Sequence, residues 1–232
     1  MEAKEKQFII TQEWLEEMGA CEAWLRAFKK HFPNGGEALE VLKRCGELCY
    51  FGSGGWLVDH LPPIYPPLEL NTFAGTLFYP NDVHIKGDIS IQEFMYIKGS
   101  LKIDGKLTVN KYGDVYADFV NADEICLNET AQIYSNTKAK SLVVNDRAVI
   151  SGDIVADNIN INYFAEIFGN TKAKVVNFDG GYIMGDVDAD VIINHGGLIT
   201  GNVNVIRIKN TNGGRVDGNR TYKNPRSINK TS

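Results

Sequence analysis

No stretch of this chain comes near eighteen consecutive apolar residues, and its opening segment MEAKEKQFII mixes acids with bases, with no hydrophobic run leading to a cleavage site. Neither a membrane span nor a secretion signal is expected, and the chain reads as cytoplasmic. Cysteine is scarce. Cys21, Cys45, Cys49 and Cys126 are the only four, three of them in the first fifty residues, which excludes a disulfide framework. Cys45 and Cys49 stand at i, i+4 beside Leu42 and Leu48 without the second Cys/His pair of a structural zinc site, so two buried apolar thiols are expected and no metal is assigned. Basic charge is scarce everywhere except at one end. Residues 1–61 hold seven Lys/Arg against ten Asp/Glu and residues 62–201 hold ten against eighteen, while residues 202–232 hold seven against one. An acidic body argues against nucleic acid as a partner, except through that terminal segment of net charge +6.

What is present divides into blocks. The 232 residues, 44% hydrophobic and 23% charged, can fill one or two cores. All three tryptophans, Trp14, Trp24 and Trp56, fall in residues 1–61, where TQEWLEEMG, ACEAWLRAFKKHFPNGG, EALEVLKRCGELCYFGSGG and WLVDHL read as four short helices. Thr11 suits an N-cap, and Gln12, Glu13, Glu16 and Glu17 follow it where the helix dipole favours acids. Trp24, Phe28 and Phe32 form one apolar stripe, and Leu39, Leu42, Cys45 and Cys49 a second. Four of the seven prolines lie between Pro62 and Pro67, which makes residues 62–69 a stiff connector.

From residue 70 the pattern becomes short β-prone runs broken by Gly, Asn and Asp. Ser135, Gly152, Gly169, Gly185, Gly201 and Gly218 are spaced by 17, 17, 16, 16 and 17 residues, the mark of a solenoid. Within each repeat the same inward register returns: Ile154, Thr171, Val187 and Val203; Ala139, Ala156, Ala173 and Ala189; Leu142 with Val144, Ile159 with Ile161, Val176 with Phe178; then Ala148 with Ile150 and Ala165 with Ile167. Three short strands per coil follow, with Gly, Asn and Asp at the bends. Fainter matches at Gly87, Gly99 and Gly113 extend the helix backwards to give about eight coils, on the order of 40 Å at a coil spacing of about 4.8 Å. The expected architecture is mainly β: a parallel β-helix over residues 70–218, with 16–17 residues per coil, behind a small all-α module and before a basic polar tail, residues 219–232.

The repeats from Gly87 to Val205 resemble the bactofilins, bacterial cytoskeletal proteins. The resemblance implies a right-handed β-helix that polymerises end to end. The helical block, through Gly19–Glu22, Phe32–Gly35 and Trp56–Leu61, is similar to modules at the front of phage and prophage proteins. That second likeness implies a phage-encoded protein acting in a bacterial host.

Catalytic patterns are sought with little return. His195, in INHGG, would be the base of a β-helix acyltransferase, but the left-handed form of that fold wants coils of eighteen, and a histidine at a solvent-facing bend is the commoner meaning. His31, His60 and His84 lack Ser, Cys or Asp at motif spacing and read as surface or interface residues. Asp186, Asp188 and Asp190 alternate onto one outward face, without the glycine and glutamate of a calcium loop, and read as a solvated acidic row. Phe51–Trp56 has three glycines but no Lys-Ser/Thr after them, and reads as a loop rather than a phosphate cradle. No catalytic, cofactor-binding or metal residue is assigned and no cofactor is expected. The favoured reading is a non-enzymatic solenoid that engages and inhibits a host protein, with a self-assembling scaffold as the alternative. The tail and Pro225 favour a discrete small oligomer over a filament.

Overall fold

The computed structural model describes residues 7–224. Four helices come first: α1 (Gln12–Glu17), α2 (Glu22–His31), α3 (Ala38–Glu47) and α4 (Phe51–His60). Thr11 caps α1, its hydroxyl oxygen accepting the Trp14 amide at 3.2 Å from an extended backbone. Trp24 and Phe28 bury one face of α2, and Val41, Leu42 and Cys45 bury one face of α3. Cys49 departs from its expected stripe: α3 stops at Glu47, and Cys49, at φ 56°, turns outward and is exposed.

Phe51–Trp56 also differs from the expected loop, because it forms the first turn and a half of α4. The reason is tertiary. A Cβ on Gly54 would lie 2.5 Å from the Phe78 ring, and one on Gly55 would lie 3.1 Å from the Tyr96 ring. The low helix propensity of these glycines is outweighed by the close approach they allow between α4 and the β region.

That β region is a parallel solenoid of about nine turns with three walls. The first wall begins at Leu68–Leu70, at the end of the proline-rich segment, and stacks through Val83–Ile85 and Ser100–Ile103 towards Arg220–Tyr222. The second wall begins at Ile89–Ile91 and the third at Leu77–Tyr79. The solenoid thus extends past both expected limits: Leu68 and Glu69 pair with Val83 and His84, and Arg220–Tyr222 pairs with Val203–Val205.

The inward register is as the repeats predict. Ile154, Thr171, Val187 and Val203 are buried, as are Leu142, Val144, Ile159, Ile161, Val176 and Phe178. Leu142 stacks on Ile159, Ile159 on Val176 and Val176 on Ile192, so apolar columns run along the axis. Coil length, however, is not uniform. Val83 pairs with Leu101 and Ile89 with Leu107, eighteen residues on. Met95 pairs with Val115, twenty residues on, because the chain turns an extra corner at Lys111–Gly113, where Tyr112 has φ 65°. Coil length therefore does not separate this chain from an eighteen-residue repeat over its first turns.

The Gly-Asp/Asn corners have a double cause. A Cβ on Gly169 would lie 2.2 Å from the carbonyl oxygen of Gly152, so after Ser135 the column, from Gly152 to Gly218, admits no side chain. One residue on, each side-chain oxygen accepts the backbone N–H of the same position in the next coil, from Asn136 to Asp153, Asn170, Asp186, Asn202 and Asn219, at 2.7–3.1 Å. A second ladder links Asn110, Asn128, Asn145 and Asn162 through side-chain amides.

Candidate functional site

Among the described residues no group of three or more His, Cys, Asp or Glu side chains is placed to hold a metal ion. Cys45 is buried, and its thiol is pushed up to about 12 by that burial. Asp186, Asp188 and Asp190 do not form a free acidic row. Asp186 accepts the Asn202 amide, and Asp188 and Asp190 pair with Lys223, folded back from the last coil. Burial pulls Asp188 upward, but Lys223 and Asn204 outweigh it and hold the carboxyl below its ordinary range.

The histidines are dispersed. His195 ends a strand, with Nδ1 3.1 Å from Thr211 Oγ1 and Nε2 2.6 Å from Asn212 Nδ2, so both ring nitrogens meet the next coil. His60 stacks on Trp56 at 4.0 Å, and His31 ends α2. His84 joins a ladder on the first wall that sequence spacing did not reveal: its Nε2 lies 2.7 Å from Asp104, which also binds Lys102 at 2.9 Å, and Lys86 binds Glu69 at 2.7 Å. These groups are exposed or half-exposed and fasten neighbouring coils.

The surfaces left to consider are the aromatic seam and the two ends. The seam joins α4 to the third wall. Phe51 stacks on Phe94 at 5.0 Å, Phe94 meets Tyr116 at 5.2 Å, and Tyr116 lies flat on Tyr134 at 4.4 Å. Tyr96 donates its hydroxyl to Asp59 at 2.9 Å, and Lys98 donates to the Asp59 carbonyl. Tyr96 is pushed up to about 12, first by burial and then by Asp59. The sequence signal for this seam is Tyr96, Tyr116 and Tyr134 at spacings of 20 and 18, outside the 16–17 period used to find the repeat.

The helices roof the first coil only in part. Leu68, Leu70 and Leu77 point inward but are half-buried, whereas Val83, Ile85 and Met95, stacked on them, are buried. Between α3 and this coil lies an open slot of about 560 Å³, lined by Leu39, Leu68, Phe73 and Leu77, with Lys43, Glu47 and Glu93 around it. At the other end the inward positions over Val203 and Val205 are Arg220 and Tyr222, both exposed. Among the described residues neither end is sealed.

Residues 72–181 match the family model described as "Bactofilin: Polymer-forming cytoskeletal". The solenoid is bactofilin-like. No curated protein and no solved structure gives a significant match. The bactofilin match begins within the first coil and ends in the seventh, so it includes the eighteen-residue coils that the repeat alignment left faint. A cytoskeletal family agrees with a non-enzymatic role. Among the described residues no helix is long and apolar enough to cross a membrane.

Proposed function

We propose that the protein is a self-assembling structural scaffold of bactofilin type, cytoplasmic and without catalytic activity, whose solenoid joins further copies through its ends. The match of residues 72–181 to a polymer-forming family carries this reading. It is supported by two ends that the described residues leave unsealed, since a parallel coil with an open outer backbone edge is a template for another chain. The same match reverses the order of the two sequence-based readings. Engagement and inhibition of a host factor by a phage-encoded protein rests on the likeness of residues 1–61 to phage modules, and no contact among the described residues adds to it. Electron microscopy and sedimentation of the purified full-length protein test the scaffold. Concentration-dependent assembly is expected, and a monomer at every accessible concentration would overturn the proposal.

A further inference from the structure

The outer face of the third wall carries one column of side chains, Tyr96, Tyr116, Tyr134, Ser151, Phe168 and Met184, paired in register at successive coils. The rings before Ser151 lie face to face, Tyr96 on Tyr116 at 5.4 Å and Tyr116 on Tyr134 at 4.4 Å. Ser151 interrupts the stack. Beyond it Phe168 is 40% exposed and, among the described residues, stacks on no ring. Tyr134 and Phe168 thus stand two coils apart, about 9.6 Å at a spacing of about 4.8 Å, which leaves room for one planar group between them. Charge on this face has one sign. Its rungs from Asp114 to Met184 hold the carboxylates of Asp114 and Glu166 and no Lys or Arg, and neither acid forms an ion pair among the described residues. Glu166 is in register with Val149, so it stands diagonal to Ser151, with the two Cα atoms about 8 Å apart by coil spacing and strand rise. Beside this notch Val149, Glu166, Tyr182 and the exposed Phe164 line an open groove of about 410 Å³, with Arg147 at its far corner.

We propose that this notch is a docking site for an arginine side chain of a partner protein, its guanidinium stacked between Tyr134 and Phe168 and bonded to Glu166, with an apolar neighbour of that arginine in the groove beside Phe164. The shape asks for a plane and the face asks for a cation. A guanidinium is both: it stacks on aromatic faces, binds carboxylates through paired donors and keeps its charge at any working pH. A lysine ammonium lacks the plane, and an aromatic ring would leave Glu166 unanswered. The same column already seats protein at its other end, where Gly55 of α4 lies against the Tyr96 ring. A second copy is a poorer occupant, because two such faces laid together oppose acids and leave both notches empty. The site lies on a wall, away from both ends of the solenoid, so it gives the scaffold a place to hold a client that end-to-end joining leaves open.

The test titrates full-length protein into a fluorescein-labelled pentapeptide with arginine between two leucines, read by fluorescence anisotropy, alongside the same peptide with lysine or citrulline in place of the arginine. The arginine peptide is expected to bind roughly tenfold tighter than either counterpart, since only it combines the plane with the charge. Ser151→Trp fills the notch and should abolish that preference, and Glu166→Gln should weaken binding about fivefold, as loss of one partly exposed charge pair does. Phe168→Ala, at an exposed position, is a second notch variant that removes one stacking face, and circular dichroism checks that each variant keeps its fold. Equal binding of the three peptides, no binding of any, or an affinity that Ser151→Trp and Phe168→Ala both leave unchanged would overturn the site. Sedimentation of the same variants identifies the occupant. Assembly like that of the wild type is expected, whereas assembly weakened by Ser151→Trp would mean that a second copy fills the notch, which overturns the partner assignment and leaves the scaffold reading standing.

Discussion

A methyl group on Gly169 would sit 2.2 Å from the Gly152 carbonyl oxygen and 3.0 Å from the Asp153 amide nitrogen, with backbone on every side that cannot retreat without parting two coils. Gly169→Ala is therefore expected to cost about 3 kcal/mol, the upper range for forced overpacking. Gly180→Ala is the control, since its φ of +83° strains an alanine but nothing lies within 4 Å of the new methyl, for about 1 kcal/mol. Thermal unfolding compares the two, and equal losses would remove the steric account of the glycine column. Ile161→Asp carries a larger penalty, because Ile161 is buried and stacked between Val144 and Phe178, so the new carboxylate has no partner. A melting temperature unchanged by that substitution would contradict the inward register. At this scale the sequence was legible wherever identical residues stack on themselves: columns of Ile, Ala and Gly repeat because their environments repeat. Cys49 was not legible, since a residue two positions past a helix end has no periodic environment to betray it. The corner glycines were found for an incomplete reason, bending alone, where close stacking of carbonyls is the stronger constraint.

Among the elements, α4 depends on partners that its own sequence does not name. Phe51–Trp56 reads as a loop by propensity and becomes helix because Gly54 meets Phe78 and Gly55 meets Tyr96. Gly54→Ala should loosen α4 from the third wall by about 1–3 kcal/mol, and adding Phe78→Leu should recover part of the loss. Strict additivity of the pair in chemical denaturation would mean that the two residues do not meet. The aromatic seam gives this joint a pH dependence. Within the seam Tyr96 is pushed up to about 12, mainly by burial, and Tyr116 is raised further by burial and by Tyr134; outside it Tyr65, whose hydroxyl meets Glu37, is likewise pushed up to about 12, first by burial. In the unfolded chain these phenols ionise near 10. Their contribution is thus present below about pH 10 and is lost as the pH climbs towards 12, since the folded state then holds protons that the unfolded state has released. An absorbance titration should show the three ionising late, in step with loss of structure, and a single transition of all ten tyrosines near 10 would refute it. The first coils were faint in the sequence for a related physical reason. They are held by Asp104 with His84 and Lys102, by Glu69 with Lys86 and by the aromatic seam, and although Asp82 and Asp88 accept the Ser100 and Lys106 amides at their corners, their eighteen- and twenty-residue lengths fall outside the period that exposed the later repeats.

For the molecule as a whole, a solenoid is nearly one-dimensional, so each coil is as stable as its two neighbours make it. The first coil is backed on one side by α3 and α4, with Phe78 and Tyr79 buried beneath them, whereas among the described residues the last rung has only Val203–Val205 beside it. In the dilute monomer the strands Val203–Thr211 and Arg220–Tyr222 should therefore exchange their amide hydrogens fastest within the solenoid, and the coils around Ile150–Ile167 slowest. On raising the protein concentration, end-to-end joining adds neighbours only at the two ends. Protection should rise in Arg220–Tyr222 and around Leu68–Leu77, and stay constant on the walls between. The competing arrangement is a sideways contact through the exposed apolar side chains of the middle coils, Tyr163, Phe164, Phe168 and Met184. Tyr163 and Phe164 have φ of 47° and 64°, a costly backbone for large side chains, and they place two rings outward where the next coil has Gly180 and Gly181. Hydrogen exchange separates the two geometries without any substitution. Concentration-dependent protection centred on Tyr163–Met184, with the ends unchanged, would show that the copies associate through a wall and that the unsealed ends are not where the scaffold grows.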